Sequence, residues 1–179
     1  MSEMTITEAL SEINLIKKKL EHKKKSVMNL LVRADHMKDP YEDQGGTPAF
    51  LLREVQALCD LEDYFIRIRS GISQANLSNL ITIGGLSKTI HDWLTWKREI
   101  SKEQVSFVNT IVHQVKETLD ISGKKPQVYA DAEGKTHLVH YKVNLDYPAW
   151  VKKQEHLAEI FEKLDGQLSL KNATIVIKV

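Results

Sequence analysis

Apolar residues recur at helical spacing through most of the chain, and the breaks between runs mark out the elements. Thr5 followed by Glu8 is a capping-box signature, which predicts a helix starting there. From it Ile6, Ile13, Leu20, Val27 and Ala34 repeat in heptads. A second stripe of Ala9, Ile16, Leu30 and Met37 runs beside them, broken only by Lys23. The pattern predicts one helix to about residue 37, roughly 45 Å long. "KDPYEDQGGTP" then interrupts it, with Pro40 and Gly45-Gly46 as breakers. Thr47-Pro48 offers an N-cap and first helical position for a second helix carrying Leu51, Val55, Leu58, Leu61, Phe65, Ile68 and Ile72. An antiparallel hairpin of the two helices is the expected pairing.

The third helix is predicted to open at Leu86-Ser87 and to run through Ile90, Trp93, Trp96, Ile100, Phe107, Val108, Val112 and Leu119, apolar on two sides. "SGKKP" ends it, and "QVYADAEGKTHLVHYKV" reads as a β-hairpin turning at residues 132–135. Pro148 starts a fourth helix, and "TIVIKV" closes the chain as a short strand. The fold class is therefore mainly α: antiparallel helical hairpins or a bundle with long coiled-coil-like helices, plus a small β-hairpin and a C-terminal strand. The expected organisation is a helical core over 1–122, a β-hairpin insertion over 123–145, and a C-terminal helix and strand, 146–179, packing back on the core. A weak internal echo sets "ITEALSEINLIKKKL" against "LSKTIHDWLTWKREI".

Composition narrows the class. With 179 residues, 42% hydrophobic and 27% charged, the chain is globular, and a net charge of +1 gives no global attraction to nucleic acid or membrane. No apolar run reaches the 18 or so residues that span a bilayer. The N-terminus lacks a basic start and an apolar stretch, so a cytoplasmic location without secretory leader is expected. Cys59, the sole cysteine, falls in an apolar helical stripe and is expected to be a buried structural thiol.

Four segments together resemble the septicolysin-like family of small bacterial and phage helical proteins. They are "TITEAL", "LEDYFIRIRSGISQAN", "GGLSKTIHDWLTWKREI" and "EKLDGQLSLKNATIVIKV", covering roughly residues 4–110 and 155–179. The resemblance implies an oligomeric coiled-coil-like helical fold with no established enzyme activity. The inserted β-hairpin and the aromatic pair Trp93 and Trp96 depart from that pattern.

Candidate chemistry centres on "NLITIGGLSKTIHDW", residues 79–93. It is not a phosphate-binding P-loop: aligning the motif's lysine on Lys88 puts Thr82 and Ser87 where its two glycines belong. A weaker anion site remains as an expectation, with Gly84-Gly85 opening a helix whose free N–H groups and Ser87 and Lys88 meet an anion. Arg67 and Arg69 would converge there, with Gln74, Asn76 and Asn79 adding neutral hydrogen-bonding groups. The plainer alternative makes Gly84-Gly85 a tight turn and Ser87 a cap. His137 and His140 point to opposite faces of a predicted strand, no nucleophile motif is present, and no cofactor or metal is expected. The run "KKKLEHKKK", residues 17–25, wraps around its helix without interleaved aromatics, so nucleic-acid binding is not expected from it.

Two functional classes remain: a scaffold oligomer, or an oligomeric protein that sequesters a small anionic, nucleotide-type ligand, as a phage anti-defence protein would. In both the partner is a second copy of the chain and no membrane is involved; the third helix is the expected contact, with Trp93 and Trp96 on it and Trp150 and Phe161 on the fourth helix adding apolar area to cover.

Overall fold

The computed structural model describes residues 3–125 and 127–179 and is mainly α. Strand β1 (Glu3–Thr5) leads into helix α1 (Ile6–Asn29), and a loop with a 3-10 turn at Glu42–Gln44 connects it to α2 (Gly46–Ser78). β2 (Leu80–Ile83) and β3 (Leu86–Thr89) follow, then α3 (Ile90–Thr95), a π-helical segment (Trp96–Ile100) and α4 (Ser101–Lys124). β4 (Val128–Ala130), β5 (Thr136–Leu138), α5 (Tyr147–Thr174) and β6 (Val176–Lys178) complete the chain. The chain divides into two compact units, Met1–Asn79 with Leu168–Val179, and Leu80–Gln167. The expected division at 1–122, 123–145 and 146–179 is thus replaced. The first unit takes back the end of α5 and β6 because β6 pairs antiparallel with β1, Thr5 opposite Val176.

In the first unit the capping box forms as expected. The Glu8 amide donates to Thr5 Oγ1 at 3.2 Å, and the Thr5 amide donates to Glu8 Oε2 at 2.7 Å. Ile6, Ala9, Ile13 and Ile16 of α1 pack with Ile68, Ile72, Ala75 and Ile177 in one core. The helix ends at Asn29, well short of residue 37, and Ala34 and Met37 of the expected heptad are exposed. Asp39 organises the connection instead. Its carboxylate accepts from the amides of Tyr41 and Thr47 and, at 2.6 Å, from the Thr47 hydroxyl. These bonds, the hydroxyl first, hold its pKa down to about 2. Thr47 therefore does not cap α2; Gly45, in the left-handed region at φ 91°, occupies that place. Across the helical hairpin Lys23 Nζ lies 2.7 Å from Glu54 Oε2, and Lys24 Nζ 2.9 Å from Glu62 Oε1. The lysine run is partly tied to α2 by these two pairs.

In the second unit Gly84-Gly85 is the two-residue turn of a β-hairpin. Both glycines are left-handed, at φ 56° and 79°, as a type I′ turn requires, and Ile83 pairs with Leu86 on either side. This corrects the helix start expected at Leu86-Ser87: four strand residues intervene, and the helix begins at Ile90, capped by Thr89 Oγ1 accepting from the Asp92 amide at 3.0 Å. Ile81 and Ile83 are buried, and the Trp93 indole donates to the Ile81 carbonyl at 3.0 Å, fixing helix to hairpin. The β4–β5 hairpin forms where the turn cluster predicted it, with Asp131 accepting from the Glu133 and Lys135 amides inside the turn.

The two units share one plan, and the internal echo in the sequence is real but four residues out of step. Thr5-Ile6 matches Thr89-Ile90, not Gly85-Leu86: "TITEAL" and "TIHDWL" both place a strand-end threonine cap before a buried isoleucine. Buried Ala9 and Trp93 correspond, and so, after the π segment inserts one residue, do Ile16 and Ser101. In the second helices Ile68 and Ile72 match Leu164 and Leu168, and Ile81 matches Ile177, all buried. The strand registers agree as well: Thr5 opposite Val176, Met4 opposite Ile177 and Glu3 opposite Lys178 answer to Thr89 opposite Leu80, Lys88 opposite Ile81 and Ser87 opposite Thr82. A repeat of strand, helix, helix and strand, with β4–β5 inserted in its second copy, accounts for the whole pattern.

Candidate functional site

The residues expected to bind an anion fall in both units. In the first, the Arg67 guanidinium sits 5.7 Å from the ring centre of Tyr64 and that of Arg69 5.6 Å from Phe65. These are three- and four-residue contacts along their own helix, so both cations are occupied by aromatic faces. Gln74 and Asn79 line a groove with Gly71, Ile175 and Lys178, and Asn76 Oδ1 is buried without a hydrogen-bond partner. In the second, Ser87 Oγ accepts from Thr82 Oγ1 at 3.1 Å across the hairpin, and Lys88 Nζ lies 5.2 Å from the Trp93 ring centre. Gly84-Gly85 feeds a strand, so its amides are not the free N–H groups of a helix start. What faces Gly84 is a side-chain cluster: a Cβ built there would stand 2.5 Å from His156 Cε1 and 3.2 Å from Glu159 Oε2. Lys163 Nζ donates to Glu159 Oε1 at 2.9 Å; that bond lowers the Glu159 pKa and raises that of Lys163. A carboxylate therefore stands beside the turn where the sequence suggested an anion.

The aromatic residues expected at a subunit contact are largely spent inside the second unit. Trp93 and Trp96 are buried, meet edge to face with centres 5.7 Å apart, and Trp96 packs against Phe161 at 5.4 Å. The Trp96 indole donates to Gln104 Oε1 at 2.7 Å across the π segment. Among the described residues no three His, Cys, Asp or Glu side chains group as a metal site. No helix of the described residues is long and apolar enough to cross a membrane.

The unexpected surface is on α2. Leu52, Val55, Ile66 and Leu77 are 74%, 45%, 60% and 58% exposed, and Cys59 between them is exposed, not buried. At 100° per residue these five lie within an arc of about 60°, on the face opposite Ile68 and Ile72. The same positions of the repeat on α5 are Pro148, Val151, Glu155, Glu162 and Ala173. Since two of them carry glutamate, the fold itself does not require apolar side chains there. The apolar spacing of α2 places Val55 and Cys59 with the core positions, whereas both are exposed.

No family model and no curated protein matches the chain. Among solved structures, a functionally unknown conserved protein from Corynebacterium diphtheriae is similar over 99% of this chain and 100% of its own, at 13% identity and a TM-score of 0.51. The likeness shows a shared mainly α fold and nothing of function.

Proposed function

We propose that this protein is a non-catalytic binding and assembly protein that works as a homo-oligomer, with the apolar stripe of α2 as its self-association face. The exposure of Leu52, Val55, Ile66 and Leu77 on one side of a single helix carries this reading. Ser70 and Ser73 separate Leu77 from the rest of the stripe, and the seven-residue spacing of Leu52, Cys59 and Ile66, with Val55 beside them, suits packing against an identical helix in a twofold contact. The chemistry around the Gly84 turn, with Glu159 beside it and Lys88 over Trp93, disfavours a small anion there, so assembly and not sequestration of a nucleotide is the reading we carry. Cys59, the sole cysteine, sits within the stripe and serves as a probe. A nitroxide attached to it is expected to report an inter-subunit distance shorter than the stripe, which spans about 37 Å from Leu52 to Leu77. No dipolar coupling between labelled copies at micromolar concentration would overturn the proposal.

A further inference from the structure

We infer that the second unit holds a binding site for a small organic amine in the groove between α4 and α5, independently of the assembly face. The groove has a volume of about 440 Å³; Val105, Leu157, Ala158 and Phe161 form apolar walls, and Asn109, Gln154 and Glu155 supply its polar groups. That volume lies in the range of small-molecule sites. The repeat explains its origin. In the first unit the corresponding helix pair is spanned by the ion pair of Lys24 and Glu62, 2.9 Å apart. In the second unit those two positions are Asn109 and Ala158, too short to meet. Lys23 and Glu54, 2.7 Å apart in the first unit, become Val108 and Trp150, and Trp150 meets Phe107 edge to face at 5.9 Å. At the position of Lys24 and Glu62 one copy of the repeat thus spans its helices with an ion pair, and the other leaves that place open and lines it with apolar groups and amides.

The lining selects the ligand. Glu155 is the single charged side chain among it, so a cation is favoured and an anion is repelled. Gln154 Nε2 donates to Asn109 Oδ1 at 2.8 Å, which orients the two amides and leaves the Gln154 carbonyl and the Asn109 amino group for a further donor and acceptor. The Phe161 ring and the aliphatic wall accept a flat or aliphatic body. A primary ammonium on a short apolar or aromatic body meets all three demands.

The test uses phenethylamine, with 3-phenylpropionate as the anion of similar shape. Trp96, packed on Phe161, is the fluorescent reporter, and amide chemical shifts of α4 and α5 locate the binding. Saturable binding of phenethylamine with shifts confined to the groove, and at least ~10-fold weaker binding of 3-phenylpropionate, is the expected result. Installing the first unit's pair with Asn109→Lys and Ala158→Glu together fills the groove in a manner the repeat already tolerates. That double variant is expected to keep its melting temperature and lose at least ~10-fold in phenethylamine affinity. No saturable binding of phenethylamine by the wild type, equal binding of both probes, or undiminished affinity in a folded double variant would each overturn the inference.

Discussion

Replacing Ile66 by glutamate separates assembly from folding, because the repeat itself carries glutamate at the matching position, the exposed Glu162 of α5. Ile66 is 60% exposed in the single chain. Full burial of an isoleucine contributes about 1.5–3 kcal/mol, so covering what remains exposed is worth about 1–2 kcal/mol per copy. A twofold contact uses the residue twice, giving about 2–4 kcal/mol, or roughly 30- to 1000-fold in the dissociation constant. Two carboxylates brought to one interface add repulsion and desolvation on top of that. The variant's own stability should shift by no more than about 0.5 kcal/mol, since no buried contact is lost. Sedimentation velocity across a micromolar dilution series reads the first quantity, and thermal unfolding below the dissociation constant reads the second. An Ile66→Glu protein that assembles within threefold of the wild-type constant refutes the assignment of this face. One that unfolds early refutes the argument from the repeat.

Three further outcomes follow from the geometry. Gly84→Ala should destabilise more than Gly85→Ala in urea titrations: both incur about 1–2 kcal/mol for the left-handed backbone, but only at Gly84 does the new Cβ collide with His156. Equal midpoints would contradict the packing described. Thr5→Ala and Thr89→Ala should each cost about 1 kcal/mol, since both threonines cap the same position of the repeat; a loss at one site alone would break that equivalence. Asp39 has a folded pKa of about 2, below its ordinary 3.8, so its contribution is complete above the ordinary value and is lost as pH falls through the folded one. Wild type should therefore lose stability faster than Asp39→Asn over that acid window in paired denaturant titrations, and parallel curves would refute it.

Much of the helical framework was legible, and the failures have physical causes. The capping box at Thr5 and the apolar spacing of α2 fix two helices because those signals are local. The end of α1 was not legible: Leu30 to Lys38 contains neither glycine nor proline, and the heptad continues past the point where the partner helix stops. The connection that follows is held by tertiary bonds, with the Asp39 carboxylate gathering the Thr47 and Tyr41 amides into a compact turn. The β2–β3 hairpin was readable in principle, since "LITI" alternates exposed and buried residues and a Gly-Gly pair before another short run is a type I′ signal. Placing the helix at Leu86 hid that hairpin and shifted the repeat out of register. Neither the pairing of β6 with β1 nor the extra residue of the π segment leaves a local signal. The surroundings of the expected anion site were readable in part: Tyr64 and Phe65 stand one helical turn before Arg67 and Arg69, a spacing that lays each guanidinium over an aromatic face.

Light scattering on the unmodified protein tests the central claim, self-association through α2, most directly. The account predicts a mass that is a multiple of 20.5 kDa at micromolar concentration and falls towards that value on dilution. A mass of 20.5 kDa throughout that range would contradict it.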